Sequence, residues 1–547
     1  MAGGVRSFMT HVCRPFVERA RLRPDDIFAI VVKQGTESTL TNRAVLARAL
    51  AIGRDLRDRG VAVGDLVAIV LEHRDDLYPA FLGCMIRGLV PAFLPPLTVK
   101  QDPDIFRRSM ATLFARIRPA AVLTSASSRE HVPQGTYAIL EVEDVGASVC
   151  DDAADVAGRL LDDLGDTSQA TAFLQHSSGT TGLKKGVMLS HRTVIEHVRR
   201  YAGAIGAAPE DVVASWLPLY HDMGLITSFL LPAVVGCTIA SLDALEWVVR
   251  PTMLLDCMER TRAAFTHLPD FAFHHLLRAA RGARRWDLTA VKAVINCSEP
   301  CRAVTFERFA ERFADMGIGP AKLLVCYAMA ENVFAVSQTP PEAVARHGGT
   351  AATSAFLSCG RALPGVEIAI RDRDGRPAAA GVPGEICLRS TTLFQGYFRQ
   401  PDATAASLRD GWFHTRDLGC IETGELFVLG RVDDLLIVNG RNVFAHEIED
   451  VVNGVAGVAP GRALACTDFS PQAGAVRLLI VCEPASDDVV PATLQAGIRQ
   501  VVLDHTGMFP GAVHLVARGF LVKSSSGKIA RAESFRKFRL HVADRPA

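Results

Sequence analysis

Short apolar runs alternate with stretches of helical spacing along most of this chain. Leu66–Leu71 (LVAIVL) predicts a buried strand, Leu77–Arg87 a helix, and Leu89–Leu94 a second strand. Ala120–Thr124, Val212–Leu217 and Ala293–Asn296 predict further short strands, while Arg192–Ala202 and Arg302–Arg312 repeat apolar residues at helical intervals. Such alternation predicts an α/β architecture with largely parallel sheets. The texture changes near residue 430. Before it, Pro383-Gly384, Asp410-Gly411 and Gly424-Glu425 punctuate turn-rich strand pieces. After it come a helix (Ala445–Val455), a strand (Val476–Cys482), a second helix (Ala492–His505) and a Gly/Ser-rich loop. The expected organisation is a large N-terminal α/β domain of several subdomains, residues 1–430, and a small α+β C-terminal domain, residues 431–547.

Bulk properties narrow the class. A chain of 547 residues is too long for one hydrophobic core, so several structural units are expected. Lys plus Arg and Asp plus Glu both number 59, so there is no basic excess to suit a nucleic-acid partner. The 13 cysteines are dispersed from Cys13 to Cys482 without a C-x-x-C pair, which suits reduced thiols better than a zinc or disulfide framework. The most apolar stretch, Ile226 to Leu242, contains Pro232 and Gly236 and is short for a membrane span. Arg6, Arg14, Glu18 and Arg19 interrupt any secretory apolar core at the N-terminus. No membrane span and a cytoplasmic location are expected.

The most informative chemistry lies in Ser177-Ser178-Gly179-Thr180-Thr181-Gly182-Leu183-Lys184-Lys185-Gly186. Glycines let backbone N–H groups approach an anion, hydroxyls add neutral donors, and lysine adds charge. Such a loop suits polyphosphate, yet it lacks the G-x-x-x-x-G-K-[ST] spacing of a Walker loop. The plain alternative is a flexible turn between a strand and a helix.

Further motifs follow in a fixed order. They are Trp216-Leu217-Pro218-Leu219-Tyr220-His221-Asp222-Met223-Gly224, Asn296-Cys297-Ser298-Glu299-Pro300, Tyr327-Ala328-Met329-Ala330-Glu331, Gly411-Trp412-Phe413-His414-Thr415-Arg416-Asp417-Leu418-Gly419, Gly430-Arg431-Val432-Asp433-Asp434, and Ser526-Gly527-Lys528. Together with the glycine-rich loop, this order resembles the adenylate-forming superfamily, in its fatty acyl-AMP ligase and acyl-CoA synthetase branch.

The resemblance implies ATP- and Mg²⁺-dependent conversion of a carboxylic acid, a fatty acid by the branch, into acyl-AMP, with release of pyrophosphate. It implies that Ser177, Ser178, Gly179, Thr180, Thr181, Gly182 and Lys185 hold phosphates, and that Ser298, Glu299, Tyr327 and Ala328 flank adenine. Thr180 and Glu331 would hold the metal, Asp417 and Arg431 the ribose, and His221 would stand at the mouth of the acyl pocket. Lys528, on a mobile C-terminal domain hinged at Asp433, would bridge carboxylate and α-phosphate. His221 where amino-acid-activating relatives carry aspartate disfavours an amino-acid substrate, although Asp222 leaves a one-residue ambiguity.

Four positions depart from the family pattern. Lys184 replaces proline, Cys297 replaces glycine and so restricts the backbone there, Ala330 replaces threonine, and Arg416 replaces glycine. For the second step, Leu174-Gln175-His176, Gly440-Arg441-Asn442 and Ser358-Cys359-Gly360-Arg361 resemble the acyl-AMP ligases, which load a separate acyl carrier protein. The interval from Asn332 to Leu357 is short for the insertion of those ligases, which keeps coenzyme A open as acceptor. A non-catalytic nucleotide- or acyl-binding member is disfavoured, because Thr180, Lys185, Glu331, Asp417, Arg431 and Lys528 are all present.

Overall fold

Leu66–Val70, buried at every position, is an inner strand of a four-stranded sheet in the computed structural model. Val90–Phe93, Leu66–Val70, Ala121–Thr124 and Ala138–Glu141 lie in that order, all parallel. The structure describes residues 11–98, 103–146, 152–176, 185–282, 284–350, 353–438, 441–470, 475–523 and 529–543. The chain divides into two units, the first drawn from residues 1–429 and the second from 416–418 and 430–547.

A nine-stranded sheet forms the largest layer of the first unit. Its parallel centre runs Leu323–Ala328, Ala293–Cys297, Phe265–Leu268, Val212–Ser215, Thr238–Leu242 and Ile27–Lys33. Antiparallel strands flank it, Ala335–Gln338 and Arg361–Ala362 at one margin and Thr36–Thr41 at the other. Parallel strands buried on both faces need near-continuous apolar runs, which is why the short runs were readable. Helices cover the sheets, and their ends are chemically marked. Ser190 accepts from the Thr193 amide at the start of His191–Ile205, and Gly206 ends that helix at φ +70°. Phe28, Tyr78, Phe81, Phe93, Phe173 and Phe229 form a connected ring cluster, with centroids 4.9–6.4 Å apart along the chain of contacts from Phe16.

The apolar stretch 226–242 is a π-helical turn (Ile226–Leu230), a short helix (Leu231–Val235) and a strand (Thr238–Leu242), with Gly236 at φ +114° between the last two. Among the described residues no helix is long and apolar enough to cross a membrane. The turn-rich pieces after residue 360 form a mainly antiparallel five-stranded sheet of Val366–Arg371, Gly384–Ser390, Trp412–Glu422, Leu408–Arg409 and Glu425–Arg431.

The second unit carries its own core, centred on Ile448, Val452, Ile480, Ile498 and Val502. Val458–Ser470 and Ala475–Pro484 pair antiparallel, and Ala512–Leu515 adds a parallel third strand. Ala445–Asn453 and Pro491–Thr506 are the expected helices. A third helix, Arg531–Ala543, was not expected from the sequence. Its first residue, Arg531, pairs with Glu449 at 2.6 Å and Asp434 at 2.8 Å. Burial opposes the guanidinium charge, but these two carboxylates outweigh it and raise the Arg531 pKa.

Candidate active site

The glycine-rich loop is framed by two strands, not by a strand and a helix. Thr171–His176 leads in and Gly186–Ser190 leads out, paired antiparallel with His176 opposite Gly186. Ser177, Ser178, Gly179, Thr180, Thr181, Gly182 and Lys184 lie outside the described residues, as does Lys528. Lys185, at the loop's end, places Nζ 4.4 Å from the centroid of the Tyr397 ring, within cation–π range. Tyr397 sits on Gly396–Tyr397, a short strand paired with Gly186–Ser190. Its hydroxyl donates to Glu331 Oε1 at 2.7 Å.

Glu331 occupies a 3₁₀ turn, Ala330–Asn332, at the end of Leu323–Ala328. The turn is fixed from several sides. Asn332 donates to the Ala335 carbonyl at 2.8 Å and accepts from Thr392 at 3.1 Å, and the Phe394 amide donates to the Glu331 carbonyl. Val333 follows at φ +65°, a costly conformation for a β-branched residue. Ammonium, phenol and carboxylate therefore stand in one file, with the carboxylate on a rigid turn. Tyr397 was missed in the sequence, where only the F-Q-G-Y-F run marked it.

Tyr327 is buried near the end of the same strand, with Ala328 half-buried beside it. Ser298 and Glu299 follow the neighbouring strand Ala293–Cys297. The expectation that Cys297 restricts a glycine-like backbone needs correction. Cys297 is ordinary strand, and it is Ser298 that adopts φ +79°. Ala330 is buried, so the missing hydroxyl leaves no exposed gap.

His221 immediately precedes a short helix, Asp222–Leu225, and its side chain is 22% exposed, so it is not a core histidine. Its Nδ1 lies 3.4 Å from Asp222 Oδ1, which in turn accepts from the Met223 amide. Gln175 donates to the Tyr220 carbonyl at 3.3 Å, tying this segment to the strand that feeds the glycine-rich loop. Gly224 is required by packing, since a Cβ there would lie 2.3 Å from the Pro218 carbonyl oxygen. Trp216, five residues before His221, stacks on Trp247 with centroids 3.8 Å apart and planes 2° from parallel.

Asp417 and Arg431 come together, with Arg431 Nε 3.0 Å from Asp417 Oδ1. One residue earlier, Arg416 adopts φ +60°, the left-handed conformation natural to the glycine it replaces. Its guanidinium reaches Asp433 and holds that carboxyl below the usual carboxylate range. Adjacent residues of one strand thus grip alternate residues of the segment 431–433, all within the second unit.

The interval 332–357 is tied down by Glu422 and Arg346. Glu422 accepts from Thr353 at 2.7 Å, the Gly349 amide at 2.8 Å and Thr350 at 3.0 Å. Arg346 donates to Glu425 at 3.1 Å and to the Glu422 carbonyl at 2.7 Å. Gly360 closes the S-C-G-R turn at φ +73°, where a Cβ would meet the Gln338 carbonyl at 2.0 Å.

Residues 16–398 match the model of the AMP-binding enzyme family. This chain belongs to that family. As an AMP-binding enzyme of the adenylate-forming superfamily, it is 29% identical over 555 residues to the long-chain-fatty-acid–AMP ligase FadD26 of Mycobacterium marinum, covering 92% of each chain. It is 28% identical to fadD25 of Mycobacterium tuberculosis, provisionally named a fatty-acid–CoA ligase, covering 95% of this chain and 96% of that one. A solved chain from work on fatty acyl-adenylate ligases of E. coli and L. pneumophila superposes with a TM-score of 0.84 at 26% identity, covering 98% and 99%. The adenylation fold also matches McyG A-PCP complexed with phenylalanyl-adenylate, at a TM-score of 0.86 and 19% identity over 99% of this chain and 85% of that one. In this AMP-binding enzyme, Glu331 offers a carboxylate oxygen on a rigid turn, a donor that suits Mg²⁺, and Asp417 offers acceptor oxygens that suit vicinal hydroxyls.

Proposed function

We propose that the enzyme activates a fatty acid with ATP and passes the acyl group to the phosphopantetheine thiol of a separate acyl carrier protein in the cytoplasm. In the first step a carboxylate oxygen attacks the α-phosphorus, forming the O–P bond of a mixed acyl–phosphate anhydride. The bond from that phosphorus to the bridging oxygen breaks, and pyrophosphate leaves. In the second step a thiol sulfur attacks the acyl carbon, AMP leaves, and the thiol proton passes to solvent.

Positioning and charge neutralisation carry such a reaction, because carboxylate and triphosphate repel one another. Ser177, Ser178, Gly179, Thr180, Thr181, Gly182 and Lys185 take the β- and γ-phosphates. Ser298, Glu299, Tyr327 and Ala328 flank adenine. Asp417 accepts from the ribose hydroxyls while Arg431 fixes its orientation. Thr180 and Glu331 would hold Mg²⁺, which supplies positive charge to the phosphates. Lys528 bridges carboxylate and α-phosphate in the first step only, and His221 borders the acyl pocket. The observation that supports this reading best is the file of Lys185, Tyr397 and Glu331, a cation and a carboxylate brought together next to the strand Gly186–Ser190.

A second reading, transfer to coenzyme A, draws support from the short interval 332–357 and its anchoring by Glu422. Pyrophosphate release measured over a series of acids tests the first step. Side-by-side transfer to holo-carrier protein and to coenzyme A tests the second. Release with no acid would overturn the activation, and efficient coenzyme A thioester formation would reverse the choice of acceptor.

A further inference from the structure

Glu385 and Cys387 are alternate residues of Gly384–Ser390 and so share one face of the antiparallel sheet in the first unit. His414, on the adjacent strand Trp412–Glu422, turns its ring to the same face. His414 Nδ1 lies 3.0 Å from Glu385 Oε2 and 3.5 Å from Cys387 Sγ. Both neighbours converge on one ring nitrogen, which carries at most one proton. Sulfur, nitrogen and oxygen all lie within 4.8 Å of one another.

The spacing suits a small cation. Zinc binds sulfur at about 2.3 Å and imidazole nitrogen at about 2.0–2.1 Å, so a tetrahedral ion holds the two roughly 3.5 Å apart. The donor set excludes Mg²⁺ and Ca²⁺, which take oxygen ligands, and favours a borderline cation. Access is also right. The side chains of Glu385 and His414 are 24% and 16% exposed, while Cys387 is buried beneath them. Two paired strands hold all three residues, so little ordering is needed on binding.

Nearby charges have to be weighed. Arg371 stands opposite Glu385 in the strand register; burial and the Glu385 carboxylate push the Cys387 thiol up to about 11, with Arg371 and Arg409 pulling the other way. Arg371 also donates to the Gly375 carbonyl at 2.8 Å and lies 5.3 Å from the Trp412 ring centre. These cations only partly offset that rise, and an incoming metal ion itself supplies the pull that displaces the thiol proton. A divalent ion with one thiolate and one carboxylate is neutral overall, so their repulsion of the loaded site is small.

We propose that Glu385, Cys387 and His414 form a binding site for one zinc-class divalent cation, distinct from the Mg²⁺ position at Glu331. The fourth position is open to water. Binding releases the Cys387 thiol proton to solvent and leaves the imidazole proton on Nε2. His414 precedes Arg416 and Asp417 by two and three residues, so an occupied site stiffens the strand that carries them. The proposal stands apart from the adenylation reading and can fail without it.

The test uses the full-length protein, stripped with EDTA and moved to metal-free buffer. Titration with Co²⁺ is followed by its thiolate charge-transfer absorption, and Zn²⁺ is then added in competition against a chromophoric chelator. One equivalent is expected to bind, with the band lost in Cys387→Ala and Zn²⁺ affinity down more than about 100-fold in His414→Gln, beyond a typical outer-sphere effect. Glu385→Gln preserves shape, thiol and imidazole, and should keep the band while weakening binding. Absence of the band in the wild type overturns the site, as does its persistence at full amplitude in Cys387→Ala. Unchanged affinity in Glu385→Gln overturns the three-ligand assignment even if the other variants misfold.

Discussion

Arg416 and Asp433 form a two-point ion pair, Nε to Oδ2 at 3.2 Å and Nη2 to Oδ1 at 2.5 Å, from a backbone position at φ +60°. The two side chains are 59% and 38% exposed, so the pair contributes at most about 1 kcal/mol. The left-handed conformation of a non-glycine residue costs roughly the same. Arg416→Gly should therefore leave stability unchanged to within about 1 kcal/mol. What it should change is the ratio of the two half-reactions, because the torsions of Asp433 lose their tether. Single-turnover rates of acyl-AMP formation and of thiol transfer, measured separately, check this. An unchanged ratio would mean that the pair does not restrain the segment.

Tyr397→Phe removes the hydroxyl that holds Glu331 and keeps the ring under Lys185. A hydrogen bond to a charged group is worth about 1.5–3 kcal/mol, which corresponds to roughly a 10- to 100-fold loss in adenylation rate. Raising the Mg²⁺ concentration should recover part of the loss if Glu331 holds the metal. Pyrophosphate release against Mg²⁺ concentration gives both numbers.

Lys528→Ala should slow acyl-AMP formation by roughly 100- to 1,000-fold, the cost of one preorganised transition-state donor. Transfer from supplied acyl-AMP should be much less affected. Equal losses in both steps would contradict the role proposed for Lys528.

Glu422 gives a prediction in pH. Burial disfavours its charge, yet hydrogen bonds from Thr353, the Gly349 amide and Thr350, with Arg346 nearby, hold its pKa below the ordinary carboxylate value. A depressed folded-state pKa contributes stability that is complete above the unfolded value of about 4.3 and fades as pH falls through the folded value. Glu422→Gln should therefore melt at a lower temperature than the wild type at pH 7, and the gap should narrow below about pH 4. Thermal melts across that range check the sign.

The parallel strands were legible because their burial on both faces demands unbroken apolar runs, as in Leu66–Val70. Their ends were read a residue or two too long. Leu217 and Leu94, for example, are apolar but lie beyond the last paired residue. The helix Arg531–Ala543 escaped notice because its apolar residues are few and the chain around Arg531 reads as a basic tail. It is fixed by partners at Asp434 and Glu449, far away in sequence. Tyr397 was hidden for the same reason, since two of its partners, Lys185 and Glu331, lie far from it in the sequence. The glycine replacements show the converse. Arg416 keeps the backbone geometry of the residue it displaced, while at Cys297 the unusual torsion falls one residue later.

The parallel contact of Trp216 with Trp247 has a practical outcome. Two indoles that close share their electronic excitation, and the chain has only four tryptophans, so this couple is expected to contribute strongly to the near-ultraviolet circular dichroism. Any acid that parts the two rings on entering beside His221 will announce itself optically, without a label and before any bond is made.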